Sequence, residues 1–204
     1  MKRKTFIRTT SIALAGLPFT TIAGCKSNTS SGGDHIHCQT GEDILGPFYR
    51  AEAPFREALN VLSEEGTPVV ISGKVMGGAE CGSPLADALV DVWQADHDGE
   101  YDNESEEFKY RGRILTNEQG EYEFMSILPG RYLNGGQFRP RHIHFMVKAE
   151  NHMDLVTQLY FEGDEYIEVD PWAREAEPER IISLHEEDDI LTGSFDINLQ
   201  LRNS

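Results

Sequence analysis

The chain has 204 residues, a hydrophobic content of 39%, 18 Lys+Arg against 35 Asp+Glu and a formal net charge of −17. That length can bury one core, and its apolar runs are too short for a polytopic membrane protein. All four charges of residues 1–24 are cations (Lys2, Arg3, Lys4, Arg8), so the remainder stands at −21, which repels nucleic acid and anionic lipid and is an unfavourable receiver for an anionic substrate.

Those cations precede the apolar stretch Thr9–Ala23, which ends in Ile22-Ala23-Gly24-Cys25. The pattern is that of a signal peptide over residues 1–24. Its last four residues resemble a bacterial lipobox, so Cys25 is expected to carry lipid and to anchor an exported protein to a bacterial membrane. Arg3-Lys4-Thr5-Phe6-Ile7-Arg8 resembles a variant twin-arginine export motif, and the export route stays open. Residues 25–37 form a polar Gly/Ser-rich tether, and the domain is expected over 38–204. Once Cys25 is lipidated, Cys38 and Cys81 remain as an even pair in an oxidising compartment, where a disulfide is expected, two buried thiols being the alternative.

Period-two alternation predicts a strand at Val69–Val75, and β-branched and aromatic content predicts another at Ala88–Ala95. Arg113–Thr116 and Glu121–Phe124 flank the turn residues Asn117-Glu118-Gln119-Gly120 and read as a hairpin. Further strands are expected at His142–Lys148, Leu155–Phe161, Arg180–Leu184 and Phe195–Leu201, with an acidic loop at Asp98–Glu107 and a loop containing a helical turn at Gly163–Glu179. Strands at this spacing, without helical periods between them, predict an all-β fold: an antiparallel β-sandwich with long active-site loops and little helix.

His142-Ile143-His144 lies in a predicted strand, where residues two apart share a face and two imidazoles can converge on one metal. His35-Ile36-His37 has the same spacing but falls in the tether, where solvation is the simpler reading. The second pair is accompanied by Tyr101, by Tyr132 in Pro129-Gly130-Arg131-Tyr132, and by Arg139 and Arg141.

With these neighbours the sequence resembles the intradiol ring-cleavage dioxygenases, nearest the protocatechuate 3,4-dioxygenase type. The matching stretches include Gly46-Pro47-Phe48-Tyr49-Arg50, Val90–Asp96, Gly99-Glu100-Tyr101, Arg111-Gly112-Arg113, Gly120–Phe124, Arg139–Phe145 and Leu155–Phe161, in the family's order. The resemblance implies Tyr101, Tyr132, His142 and His144 as ligands of a mononuclear non-haem Fe(III). It implies a catecholic substrate opened by O₂ to a cis,cis-muconate-type diacid, with Tyr132, Arg139 and Gln158 as catalytic residues. A phenol of pKa near ~10 costs roughly 4 kcal/mol to ionise at neutral pH, so paired phenolates are expected only around a hard cation. The alternative is a non-enzymatic or weakly active catechol-binding lipoprotein.

Arg131 and Arg141 depart from the family pattern; either they help bind a carboxylated catechol or they pair with the abundant acids. With Arg139 they suggest a small positive island around the iron. Residues 133–137 form a segment shorter than in the family, and the long N-terminal helical region of catechol 1,2-dioxygenases is missing. In the shorter type two related subunits share a site, which leaves a homo-oligomer open.

Overall fold

The computed structural model describes residues 39–59, 65–78 and 81–202, all within one compact unit. The leader, Cys25, the tether with His35 and His37, and Cys38 lie outside the described residues. Cys81 is disulfide-bonded. Among the described residues no helix is long and apolar enough to cross a membrane.

Among the described residues thirteen strands follow one another: β1 (Pro68–Gly77), β2 (Ser83–Pro84), β3 (Leu89–Gln94), β4 (Arg111–Leu115), β5 (Glu121–Ile127), β6 (Leu133–Asn134), β7 (Gln137–Phe138), β8 (His142–Lys148), β9 (Leu155–Phe161), β10 (Ile181–Ile182), β11 (His185–Glu187), β12 (Ile190–Ser194) and β13 (Ile197–Asn198). Among the described residues, helix is confined to three 3₁₀ turns at Ile167–Val169, Ala173–Glu175 and Pro178–Arg180. One sheet has the order β10-β9-β8-β3-β4; the other runs β11-β12-β1-β13, with β2 and β5 also pairing to β1. β6 and β7 form a separate ribbon.

Alternation builds the sandwich. Val69 and Ile71 of β1 and Phe124 of β5 face Val90 and Val92 of β3, Ile143 and Phe145 of β8 and Leu159 of β9, all fully buried. Each such side chain contributes roughly 1.5–3 kcal/mol relative to exposure. Phe145 is the hinge of the packing, with ring centroids 6.1 Å from Phe124 and 5.2 Å from Phe195. Gly73 sits where β1 passes from its pairing with β12 to that with β13, and a Cβ there would overlap the Phe195 carbonyl.

Three expectations change. The β4 and β5 strands form no hairpin: β4 pairs with β3 and β5 with β1, so Asn117–Gly120 carries the chain from one sheet to the other. The C-terminal strand is only Ile197–Asn198, and the stretch before it, Ile190–Ser194, is the longer strand. The sandwich is also mixed, because β12 and β13 run parallel to β1 and β10 parallel to β9.

Candidate active site

Turning Ile143, Phe145 and Val147 into the core sends His142 and His144 to the opposite face of their sheet. Strand register then aligns a row across that outer face, Arg111 beside Trp93, Trp93 beside His144, and His144 beside Gln158; His142 pairs with Tyr160. The Trp93 and His144 rings stack at 4.7 Å and 7°. All of these groups are nonetheless buried, because segments from elsewhere in the chain cover the face.

Two of those segments bring the tyrosines. Asp96 anchors the first loop: its Oδ1 accepts from the N–H groups of Asp98 and Glu100 at 3.0 and 2.9 Å, and its carbonyl accepts from Gly99 and Gly130 at 3.2 and 2.6 Å. Gly99 and Gly130 let the loops touch back to back, since a Cβ on Gly130 would overlap Gly99 N and His97 O. Tyr101 and Tyr132 leave this junction with ring centroids 5.8 Å apart. Phe48 stacks on Tyr101 at 4.4 Å and meets Tyr132 edge-on at 5.1 Å. Arg111, fully buried, ties the cover down by donating to the carbonyls of Phe48 (2.6 Å) and Asp102 (3.0 and 2.7 Å).

The four expected ligands therefore meet at one place. The His142 Nδ1 lies 2.7 Å from the Pro140 carbonyl, which can only accept, so the proton sits on Nδ1 and the Nε2 lone pair points at the Tyr101 hydroxyl 3.1 Å away. Burial, with Arg139 nearby, lowers the His142 pKa to about 4. Burial and then His142 hold His144 well below its usual range. Both rings are neutral donors of a lone pair. Burial also raises the Tyr101 pKa, so its phenol ionises only against a cation. The His144 Nδ1 is buried without a hydrogen-bond partner, as is the Trp93 Nε1.

Two lone-pair donors and two phenols around one point fit a hard trivalent ion. Among the described residues no three His, Cys, Asp or Glu gather to hold a metal, so a metal here depends on the phenol oxygens.

A cavity of about 100 Å³ opens beside these groups, lined in addition by Ile44, Gly46, Pro47, Phe48, Asn134, Arg139 and Trp172. Arg139 is held from behind. Its Nε donates to Asp170 Oδ2 at 2.8 Å, and its Nη2 to Asp170 Oδ1 and Gln158 Oε1 at 3.2 and 3.1 Å. Its guanidinium also lies 4.7 Å from the Trp172 ring centroid. Gln158 stands behind Arg139 rather than among the lining residues, and its Nε2 donates to the Ile44 carbonyl at 2.8 Å.

The three arginines expected to make a positive island are each paired with an acid. Arg131 pairs with Asp164 and Glu165 at 3.3 and 3.2 Å, Arg141 with Asp164 at 3.6 Å, and Arg139 with Asp170. Asp164, Asp170 and Trp172 went unnoticed in the sequence because they lie in an aperiodic acidic loop.

Residues 44–201 match the family described as dioxygenase. Catechol 1,2-dioxygenase 2 of Acinetobacter lwoffii is 34% identical over 173 residues, covering 75% of this chain, and the chain spans only 62% of that relative's length. The protocatechuate 3,4-dioxygenase beta chain of Burkholderia cepacia is 35% identical over 159 residues, 68% of this chain and 67% of the relative. The dioxygenase domain of a dioxygenase carbohydrate-binding protein fusion from Streptomyces sp. SirexAA-E superposes with a TM-score of 0.71 at 33% identity, covering 80% of this chain and 99% of that one.

Proposed function

This chain belongs to the intradiol ring-cleavage dioxygenase family, and from that premise we propose that it cleaves a catecholic ring between its two hydroxylated carbons, using O₂ and a mononuclear non-haem Fe(III) held by Tyr101, Tyr132, His142 and His144. The product is a cis,cis-muconate-type diacid. The observation that carries the reading is the convergence of two neutral imidazoles and two phenols on a ring-sized cavity faced by Arg139.

When bound, Fe(III) would draw electron density from a chelated catechol and so open the ring to O₂. The chain's own groups do the rest. The Nε2 lone pairs of two uncharged rings and the Tyr101 oxygen form a fixed cradle. Tyr132, half-buried at the cavity, would as a metal-held phenolate take a proton from a catechol hydroxyl onto its Oη as the diol binds. Arg139 presents a fixed cation to charge developing on the ring carbon, beside the apolar walls of Phe48, Ile44 and Trp172. Gln158 acts through Arg139 and through the Ile44 carbonyl.

The leader and Cys25 support export and a lipid anchor on a bacterial membrane, and the disulfide at Cys81 suits an oxidising compartment.

The test is spectroscopic. Protein loaded with ferric iron should show a visible tyrosinate charge-transfer band, catechol added without O₂ should shift it, and O₂ should then yield the ring-opened diacid. His144→Ala should abolish iron retention. A colourless protein that takes up no iron would refute the metal site, and a band shift with no O₂ uptake would leave a catechol-binding lipoprotein instead.

A further inference from the structure

We infer that the ring this site accepts is an uncharged catechol carrying at most small apolar substituents, and that Asp164 helps exclude carboxylated catechols by holding Arg131 and Arg141 out of the cavity. The inference rests on the ring-cleavage reading above and narrows its substrate.

The cavity's own walls come first. Apart from the four candidate ligands and Gly46, it is lined by Ile44, Pro47, Phe48 and Trp172, with Asn134 and Arg139 as the polar groups. Its volume of about 100 Å³ is well under the roughly 300 Å³ at which drug-sized sites begin, which leaves room for one ring and little more. The β6–β7 ribbon that carries Asn134 exposes Leu133 and Phe138 next to it, an apolar surround for a substituent that reaches outward.

The cations are spoken for. Asp164, whose side chain is 2% exposed, accepts from the Arg131 Nε at 3.3 Å and the Arg141 backbone N–H at 3.1 Å, and its Oδ2 lies 3.6 Å from the Arg141 Nη1. Glu165 takes the Arg131 Nη1 at 3.2 Å, and the Arg131 guanidinium lies 4.8 Å from the Tyr166 ring centroid. Neither arginine lines the cavity. Arg139 does, but Asp170 already holds it in two bonds. Three arginines face three carboxylates, and the buried Arg111 spends its donors on the Phe48 and Asp102 carbonyls, so a substrate carboxylate would find no free guanidinium at the cavity, and an unpaired buried charge is strongly disfavoured. The net charge of −21 outside residues 1–24 opposes its approach as well.

The test compares catechol, 4-methylcatechol and 3,4-dihydroxybenzoate on the iron-loaded protein, by anaerobic calorimetric binding and by kcat/KM. The wild type should bind both uncharged diols and prefer them over the acid by at least about 100-fold in kcat/KM. Asp164→Asn, which frees Arg141 and leaves Arg131 only Glu165 without changing side-chain volume, should shrink that preference about tenfold, through tighter binding of the acid. Arg141→Gln should leave the preference within about threefold, because Arg141 receives no substrate. A wild type that handles 3,4-dihydroxybenzoate within about threefold of catechol would overturn the inference while sustaining ring cleavage, and so would loss of acid binding in Arg141→Gln. Binding of none of the three diols would overturn the ring-cleavage reading and this inference with it.

Discussion

Replacing Asp170 with Asn keeps the side chain's size and removes one acceptor. Asp170 receives four donors: Arg139 Nε at Oδ2 (2.8 Å), and Arg139 Nη2, Trp172 N–H and Ala173 N–H at Oδ1 (3.2, 3.1 and 2.8 Å). An Asn offers a single oxygen. In one orientation its NH₂ opposes the Arg139 Nε–H; in the other it opposes the two backbone N–H groups that begin the Ala173–Glu175 turn. Arg139 is 5% exposed, so its charge is left without a partner in a dry site, and breaking one side of such a pair costs about 3–5 kcal/mol.

Asn retains part of the bonding, so about 3 kcal/mol is expected at neutral pH, equivalent to a fall of roughly 6–12 °C in Tm for a chain of this size. Burial pushes the Asp170 carboxyl up, but its bonds from Arg139 and Ala173 outweigh this and hold its pKa below the usual carboxylate value. The stabilisation is therefore present above about pH 4 and lost as pH falls through the lowered native pKa, where wild type and Asp170→Asn should converge. Urea unfolding across pH 3–7 measures this directly. Iron content and the tyrosinate band should persist while kcat falls at least about tenfold, because Arg139 loses its aim. In an Arg139→Gln background the same substitution should cost about 2 kcal/mol less. An unchanged midpoint at pH 7 together with wild-type turnover would refute the reasoning.

Gly130→Ala must push the two tyrosine loops apart, since the new Cβ has only backbone atoms to meet; a loss of about 2–3 kcal/mol and a lower iron-to-protein ratio are expected, and wild-type values of both would contradict the positioning role. Asp91 is buried, accepts from the Tyr49 hydroxyl at 3.0 Å, and is raised by burial to about 6 from 3.8. Between those values the native state holds a proton that the unfolded chain has lost, so stability falls as pH rises from 4 to 6. The advantage of Asp91→Asn over wild type should grow by about 2–3 kcal/mol from pH 4 to pH 7, and a pH-independent difference would count against the shift. Reducing the disulfide at Cys81 should lower the denaturant midpoint by up to roughly 4 kcal/mol of stability, and an unaltered midpoint in reductant would show that the bond does not brace the domain.

Much was legible in the chain alone. The strand candidates His142–Lys148 and Leu155–Phe161 match the observed strands to the residue, and His142 and His144 fall on one face because a strand's side-chain period is a local property of its backbone. Motif order brought Tyr101, Tyr132, Arg139 and Gln158 into the same frame. Partnership between segments was not legible. The turn at Asn117–Gly120 closes with the same local bonds, Gly120 N–H to the Asn117 carbonyl at 2.9 Å among them, whether the next strand returns along the last or crosses to another sheet.

That choice was made by burial, when Tyr122 and Phe124 of β5 found the core beside Val69 and Ile71 of β1. Charge behaved likewise. Composition supplied three arginines near the candidate iron, but only the fold brought Asp164, Glu165 and Asp170 against them from a loop more than twenty residues away in sequence. Periodicity is set by neighbours along the chain; strand partners and ion pairs are set by which surfaces leave water together, and that is decided in three dimensions.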